Sequence, residues 1–402
     1  MSKSSTEELD YVPKKGNHYS IPIDKNVYEA AKERIKEIIG MVDECIVSFS
    51  GGKDSLVVLN LVQECYDELG IEKKVKVFFF DEEIIPDCVI DFVTEIYNSG
   101  KYDFTYWAIP LKSTKGLLGK AYDYVQWDRD REWIRQPPEF ARTLGDDEYF
   151  VYSQYNRNSY ICKDIPGKIC MFNGMRASES LNRQRAVNAK PYKTYINYDP
   201  KHKRIMTSKP IYDWDERDVF LYFLKNDIKY CIQYDKQMYN RENLRVATAI
   251  YDDSSVNFYK VRTANPEFYD RIVKVFPEMK LQDLYYRELD RTQSFKYPHS
   301  VRGLIQYIDD EITDPHQKKL AKKMVKSALT TRRNKMKEGS NLPLGGYPLK
   351  HLFECISIGA YKRGIMHKMN YDVEDYLFEG KTREDYKKAV KKAKEEGYAY
   401  VD

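Results

Sequence analysis

Residues 46–55 read Ile46-Val47-Ser48-Phe49-Ser50-Gly51-Gly52-Lys53-Asp54-Ser55, and Leu56 opens an apolar run with helical spacing. A strand that breaks into a Ser-Gly-Gly-Lys-Asp-Ser turn and continues as a helix is suited to receive an anion. Gly51 and Gly52 let backbone N–H groups approach with no Cβ in the way, and the helix offers its positive N-terminal end. Ser50, Lys53 and Ser55 add side-chain donors at the same point, with Ser48 just before them on the strand. The alternative is a plain glycine turn before a helix, as in many α/β proteins.

Outward from this turn, strand and helix alternate. Asn26 to Met41 carries Val27, Ala30, Ala31, Ile35, Ile38 and Ile39 at helical spacing, and Cys45 to Ser50 is the first strand. Leu56 to Leu69 reads as a helix, Val75 to Asp81 as a strand, Pro86 to Asn98 as a helix opened by proline, and Asp103 to Pro110 as a third strand. From about Leu111 to Gly167 the periodicity fails in a stretch rich in Asp, Arg, Tyr and Trp, which reads as an insertion over the active face. Lys168 to Met175 restores a strand, Ala177 to Ala186 a helix, Arg204 to Ile211 a last strand and Asp215 to Asn226 a helix. This order predicts a doubly wound, mostly parallel, Rossmann-like α/β sheet over residues 26–240, with ligands beyond the carboxyl ends of its strands. A polar segment, 1–25, precedes it. Residues 241–402 read as a second, mostly α domain, with helices at 265–275, 301–308, 314–337 and 382–396 and punctuation from Gly339 to Pro348.

The bulk numbers set bounds. A chain of 402 residues is too long for one ordinary core, and 42% hydrophobic residues suit a globular protein. A net charge of +4 neither demands nor excludes nucleic acid, so any basic surface is local. No apolar run is long enough to span a bilayer and the first residues carry no h-region, so the expected location is the cytoplasm. Seven scattered cysteines, at 45, 65, 88, 162, 170, 231 and 355, make no disulfide framework, and no Cys-x-x-Cys occurs. The six histidines are isolated, with no ligand spacing.

Three further stretches carry chemistry. The second strand ends in Phe80-Asp81-Glu82-Glu83, where an acid commonly meets the ribose or base of a nucleotide; the alternative is an acidic entry to the next helix. In Phe172-Asn173-Gly174-Met175-Arg176-Ala177-Ser178-Glu179, Gly174 permits close backbone approach and Arg176 offers a planar fork to an anion. Glu179 and Arg183, four apart, also suit an exposed helical ion pair. Lys209 opens Lys-Pro-Ile-Tyr-Asp-Trp-Asp-Glu-Arg-Asp-Val after the last strand.

The turn at 50–55 lacks the glycine and Ser/Thr of the commoner mononucleotide loop, since Val47 and Asp54 occupy those positions. It resembles the PP-loop of the ATP pyrophosphatase superfamily. Together with the Phe-Phe-Phe-Asp strand end, the Gly-x-Arg-x-x-Glu-Ser segment and Lys209-Pro210, in order over residues 45–225, it looks like the phosphoadenylyl-sulfate (PAPS) reductase branch, whose fold is of the adenine nucleotide alpha hydrolase type. The resemblance implies a nucleotide cleft faced by Ser50 to Ser55, Arg176 and Lys209, with ATP as ligand. Thioredoxin-dependent reductases of this branch end in a cysteine-bearing tail, whereas this chain ends Glu-Glu-Gly-Tyr-Ala-Tyr-Val-Asp. Length, insertion and helical lobe look more like the immunoglobulin-binding regulator A group, which implies a ParB-like protein partner.

These readings combine into an expectation. The chain binds ATP with Mg²⁺ and cleaves it between the α and β phosphates, releasing pyrophosphate and adenylating an acceptor. Lys53, Asp54, Arg176 and Lys209 act in catalysis. Ser48, Ser50, Gly51, Gly52, Lys53, Asp54, Ser55, Asp81, Gly174, Arg176, Glu179 and Arg183 hold the nucleotide, and Asp54 is the metal-side carboxylate. One alternative is a thiol-dependent sulfonucleotide reductase. Another is a nucleotide-responsive regulator or nucleic-acid-binding adaptor using the basic helix Lys318 to Lys337, whose apolar stripe reads Leu320, Met324, Ala328 and Leu329.

Overall fold

The computed structural model describes residues 23–361 except 154–155, 181–182, 185–186, 188–193, 200–201, 240–243, 253, 289–295, 299, 338–348, 358 and 360, together with 384, 388 and 391. By its contacts the chain divides into two compact units. The first takes the described residues up to Asp81 with Ile85–Ile109 and Pro137–Val246; the second takes Glu82–Ile84, Pro110–Gln136 and the described residues from Ala247 onward.

The first unit is a six-stranded sheet in the order β3-β2-β1-β6-β8-β7. Its strands are β1 (Glu44–Phe49), β2 (Lys76–Phe80), β3 (Asp103–Trp107), β6 (Ile169–Asn173), β7 (Ile196–Tyr198) and β8 (Ile205–Ser208). Cys45, Ile46, Val47 and Phe49 are all buried, as expected of a strand covered on both faces. Every pairing is parallel except that of β7 with β8, so the class is the expected doubly wound, Rossmann-like α/β fold. Helices α1 (Val27–Ile39), α2 (Lys53–Glu68), α3 (Asp87–Asn98), α4 (Arg157–Ile161), α5 (Glu216–Lys225) and α6 (Gln233–Tyr239) belong to this unit. The strand order reverses at β1, with β2 on one side and β6 on the other. That is the switch point where the connections leaving neighbouring strands diverge and open a crevice.

Three readings need correction. The stretch from Leu111 is not an irregular insertion of the sheet unit: β4 (Leu111–Leu117) and β5 (Lys120–Gln126) form an antiparallel hairpin that belongs to the second unit. Its two-residue turn, Leu118-Gly119, has φ of 49° and 77°, the left-handed pair such hairpins need, but with leucine where asparagine would have signalled it. Edge strand β7 is three residues long and was not foreseen. The helix expected over Ala177 to Ala186 starts as a 3₁₀ turn, Ala177–Glu179, after which Ser180 is extended. Ala177 N–H bonds to the Tyr212 carbonyl and Ser178 Oγ to that of Trp214, so this segment is tied across to its neighbour before a helix can begin.

In the second unit, the hairpin is joined by helices α7 (Phe258–Ala264), α8 (Pro266–Val275), α9 (Met279–Tyr285), α10 (Val301–Glu311), α11 (Pro315–Lys337) and α12 (Leu349–Ser357). One core gathers Tyr124, Ile250, Phe258, Phe268, Ile272 and Met279, and another gathers Leu304, Ile308, Met324, Val325 and Phe353. On α11 the buried stripe is Ala321, Met324, Val325 and Ala328, one step from the expected Leu320-based stripe; Leu320 is half-buried and the Leu329 side chain lies outside the described residues. Lys319, Lys322, Lys323 and Lys326 are exposed, and Lys322 pairs with Asp309 at 2.5 Å. The helix expected at 382–396, apart from 384, 388 and 391, and the Gly339 to Pro348 region lie outside the described residues.

Candidate active site at the turn after the first strand

The turn forms as its residue types dictate. Gly51 has φ of 72°, and a Cβ there would lie 2.7 Å from Cγ1 of Val89, so glycine is required twice over. Ser55 Oγ accepts from the Ser50 N–H at 3.1 Å and donates to the Gly52 carbonyl at 3.0 Å, while Ser50 Oγ accepts from the Gly52 N–H at 3.3 Å. Gly52 is the N-cap of α2, and the N–H of Lys53, first in the helix, donates to the hydroxyl of Tyr234 at 2.8 Å. Three N–H groups of the turn are thus met by hydroxyl oxygens.

Gly174, at the end of β6, meets the same turn. A Cβ at Gly174 would stand 2.5 Å from the Asp54 carbonyl carbon and 2.5 Å from the Ser55 nitrogen. This close approach brings Arg176 onto Asp54, where the guanidinium Nε donates to Oδ1 at 2.6 Å. Nη1 of Arg176 donates to Ser178 Oγ at 3.0 Å, which fixes the guanidinium plane, and Nη2 lies 3.7 Å from Glu179. Glu179 also pairs with Arg183. Lys53 and Arg176 are 3% and 4% exposed. Lys53 Nζ donates to the Leu244 carbonyl at 2.7 Å and lies 3.4 Å from both Asp54 Oδ2 and Glu216 Oε1.

The electrostatics are crowded with positive charge. Burial lowers the pKa of Arg183 most; the charges of Arg245 and Arg176 lower it further, against the opposing pull of Asp54. Lys53, Arg176 and Arg183 are thus interleaved with the carboxylates Asp54, Glu179 and Glu216, and Arg245 adds a further positive charge near Arg183. The Tyr234 phenol is pushed up, mainly by burial, and stays neutral at physiological pH.

The structure brings together Ser50, Gly51, Gly52, Lys53, Asp54, Ser55, Gly174, Arg176, Glu179 and Arg183. Ser48 is one residue from the end of β1, in register with Phe78 and Asn173. Lys209 is buried just after β8, its N–H donating to the Tyr195 carbonyl. Asp81 is 3% exposed and accepts from the Tyr106 hydroxyl, a bond that ties strand ends. Glu83 belongs to the second unit, where it is fully buried and pairs with Arg131. Asp54, expected as the metal-side carboxylate, has Oδ1 on Arg176 at 2.6 Å and Oδ2 3.4 Å from Lys53. Cys162 and Cys170 are fully buried, Cys170 within β6, and burial pushes both thiols up. No described helix is long and apolar enough to cross a membrane.

Several contributors carried no sequence signal. Tyr234 and Gln237 lie three apart on α6. Gln237 clasps Arg245 through both ends of its amide, donating to the Arg245 carbonyl at 2.6 Å and accepting from its N–H at 2.9 Å. The clasp places the Leu244 carbonyl on Lys53. No turn motif or charge run marks these positions; only the tertiary path of 231–246 brings them to the phosphate turn.

A family model described as phosphoadenosine phosphosulfate reductase domain matches residues 44–131 and 150–272, over half of the chain. YbdN, an uncharacterized protein of Escherichia coli strain K12, is 33% identical over 224 residues, covering 51% of this chain and 53% of YbdN. The match therefore spans about half the length of that relative. Among solved structures, FMN adenylyltransferase of Candida glabrata with FMN and AMPCPP is 14% identical (TM-score 0.35), covering 54% of this chain and 65% of that one. PAPS reductase of Candida auris in a phosphate complex is 14% identical (TM-score 0.33), covering 54% and 93%.

Proposed function

The chain belongs to the phosphoadenosine phosphosulfate reductase domain family, and from that premise we propose that its first unit binds ATP on the Ser50–Ser55 turn. It cleaves ATP between the α and β phosphates, releases pyrophosphate and passes the adenylyl group to an acceptor. The observation that carries this reading is the cluster of Lys53, Arg176 and Arg183 at the turn, where burial and then the charges of Arg245 and Arg176 lower the pKa of Arg183. A polyanion set among these cations removes that penalty and gains charge-assisted hydrogen bonds.

In this scheme the turn N–H groups and Lys53 hold the leaving pyrophosphate. Arg176, oriented by Asp54 and Ser178, neutralises the phosphoryl group under attack, and Lys209, buried just after β8, is assigned as the second catalytic cation. Glu179 positions Arg183. Mg²⁺ arrives on phosphate oxygens, as its preference for substrate oxygens and water allows. Asp81, engaged by Tyr106, is left out of nucleoside recognition. Within the family we place the chain nearest the immunoglobulin-binding regulator A group, with a ParB-like protein as partner and the cytoplasm as location.

The test is pyrophosphate release from Mg·ATP by the purified chain, alone and with its partner, alongside sulfite release from a sulfonucleotide with added thiol. Pyrophosphate production that Lys53→Ala and Arg176→Ala abolish supports the reading. Sulfite production without pyrophosphate transfers the assignment to the reductase. A second reading, an adaptor that grips nucleic acid, is favoured by the exposed lysines 319, 322, 323 and 326 on α11. Survival of the cellular phenotype after Lys53→Ala with Asp54→Ala, despite lost turnover, would favour it.

A further inference from the structure

We propose that Cys88 and Cys231 form a reversible thiol–disulfide pair whose oxidised form ties together the two segments flanking the phosphate turn. The two residues are 143 apart in sequence, yet the Cys231 thiol donates to the Cys88 carbonyl at 3.5 Å. Cys88 in turn donates to Gln233 Oε1 at 3.3 Å. Each thiol is also a hydrogen-bond partner of the other, the close approach that a disulfide needs.

The chemistry singles out this pair. Of the seven cysteines Cys88 alone is not buried. Its thiol is lowered to about 7, chiefly by a hydrogen bond from Cys231 and, further, by the charge of Lys236. Burial instead pushes Cys45 and Cys65 up to about 12 and Cys162 to about 11, where the reactive thiolate is scarce. Cys231 is raised by its bond to Cys88 and by burial, so it acts second.

The oxidant is a small-molecule disulfide. The Cys88 thiolate attacks one of its sulfurs, forming a mixed disulfide and releasing one thiolate. Cys231 then loses its proton and attacks the Cys88 sulfur, which forms the internal disulfide and expels the second small thiolate. Two protein thiols are oxidised, one small disulfide is reduced, and the two protons end on the two released thiols.

The location makes the bond consequential. Val89, next to Cys88, is the side chain that a Cβ on Gly51 would strike. Cys231 begins the segment of Tyr234: the Tyr234 N–H donates to the Cys231 carbonyl at 3.2 Å, and its hydroxyl occupies the Lys53 N–H. Oxidation therefore fixes Tyr234 on the donor that a phosphate oxygen needs, a consequence that rests on the nucleotide reading above.

The experiment treats the full chain with oxidised glutathione, blocks remaining thiols and maps peptides by mass spectrometry. The expected result is one cross-linked peptide pair, Cys88 to Cys231, lost on adding dithiothreitol, with the other five cysteines alkylated. Recovery of both residues as free thiols, or of Cys88 stalled as the glutathione adduct, overturns the pair; this arm uses the wild-type chain and needs no variant to fold. Cys88→Ser and Cys231→Ser each should abolish the cross-link. For the consequence, ATP affinity is measured by calorimetry, with at least about five-fold weaker binding expected when oxidised. Equal affinities remove the effect on the turn, whereas absent binding in both states refutes the nucleotide reading and leaves the cross-link standing.

Discussion

Replacing Gly174 with alanine tests the site at its tightest point. The added Cβ would lie 2.5 Å from two backbone atoms of the turn, Asp54 carbonyl carbon and Ser55 nitrogen, and 2.7 Å from the Asp54 carbonyl oxygen. Ordinary contact begins near 3.4 Å, so strand end and turn must separate by about 0.9 Å, and neither is a flexible side chain. Overpacking of this kind costs about 1–3 kcal/mol, a melting shift of about 2–12 °C for a unit of this size. Displacing the turn by that distance moves its N–H groups and Asp54 relative to Arg176, and misplacement of about 1 Å costs on the order of 10²-fold in rate. The assay is thermal melting with pyrophosphate release, beside a control, Gly145→Ala, where an added Cβ meets nothing within 4 Å. If Gly174→Ala melts and turns over like the control, the claimed contact between the β6 end and the turn is wrong.

Tyr234→Phe removes the acceptor of the Lys53 N–H and should lower denaturant stability by about 1–3 kcal/mol without ligand; added ATP should restore most of this, and failure to do so would place the ligand elsewhere. Alkylation of Cys88 by iodoacetamide should rise with pH through a midpoint near 7, because a lowered thiol pKa makes thiolate available above it. In Cys231→Ser that midpoint should move upward, since the Cys231 hydrogen bond is the largest cause of the lowering; an unmoved midpoint assigns the shift to Lys236 instead. Replacing Lys319, Lys323 and Lys326 with glutamine should weaken any single-stranded nucleic acid binding and flatten its salt dependence by about 0.7 per lost phosphate contact, read by fluorescence anisotropy across a salt series.

The sheet was legible because its strands are buried on both faces and so appear as continuous apolar runs, Ile46-Val47 and Val77-Phe78-Phe79 among them. The phosphate turn was legible because Gly51 is forced by its positive φ and by Val89, so the glycine is visible in the chain itself. The hairpin at 111–126 was hidden by its charged, mostly half-buried or exposed strands without regular alternation and by Leu118 in a left-handed position. The partner of Asp81 was hidden for another reason: an acid at a strand end looks the same in sequence whatever it faces, and only the parallel register of β2 with β3, placing Phe79 beside Tyr106, brings the Tyr106 hydroxyl to it. Tyr234, Gln237 and Arg245 were illegible because they act through a fold-back that no local pattern encodes.

The satisfied state of the turn bears on where affinity originates. Ser50, Ser55 and Tyr234 already accept the N–H bonds that an anion would take, so a phosphate oxygen replaces hydroxyls and does not fill empty donors. Exchanging a neutral acceptor for a charged one gains only the difference between the two kinds of bond, roughly 1 kcal/mol each. The larger gain comes from the cations, of which Lys53 and Arg176 are buried and Arg183 is repelled by Arg245 and Arg176 before the ligand arrives. A neutral ligand of the same shape wins neither term. Discrimination for polyanions therefore rests more on Arg176, Arg183, Arg245 and Lys53 than on the glycine turn, and losing one arginine should weaken triphosphate binding more than binding of a monophosphate.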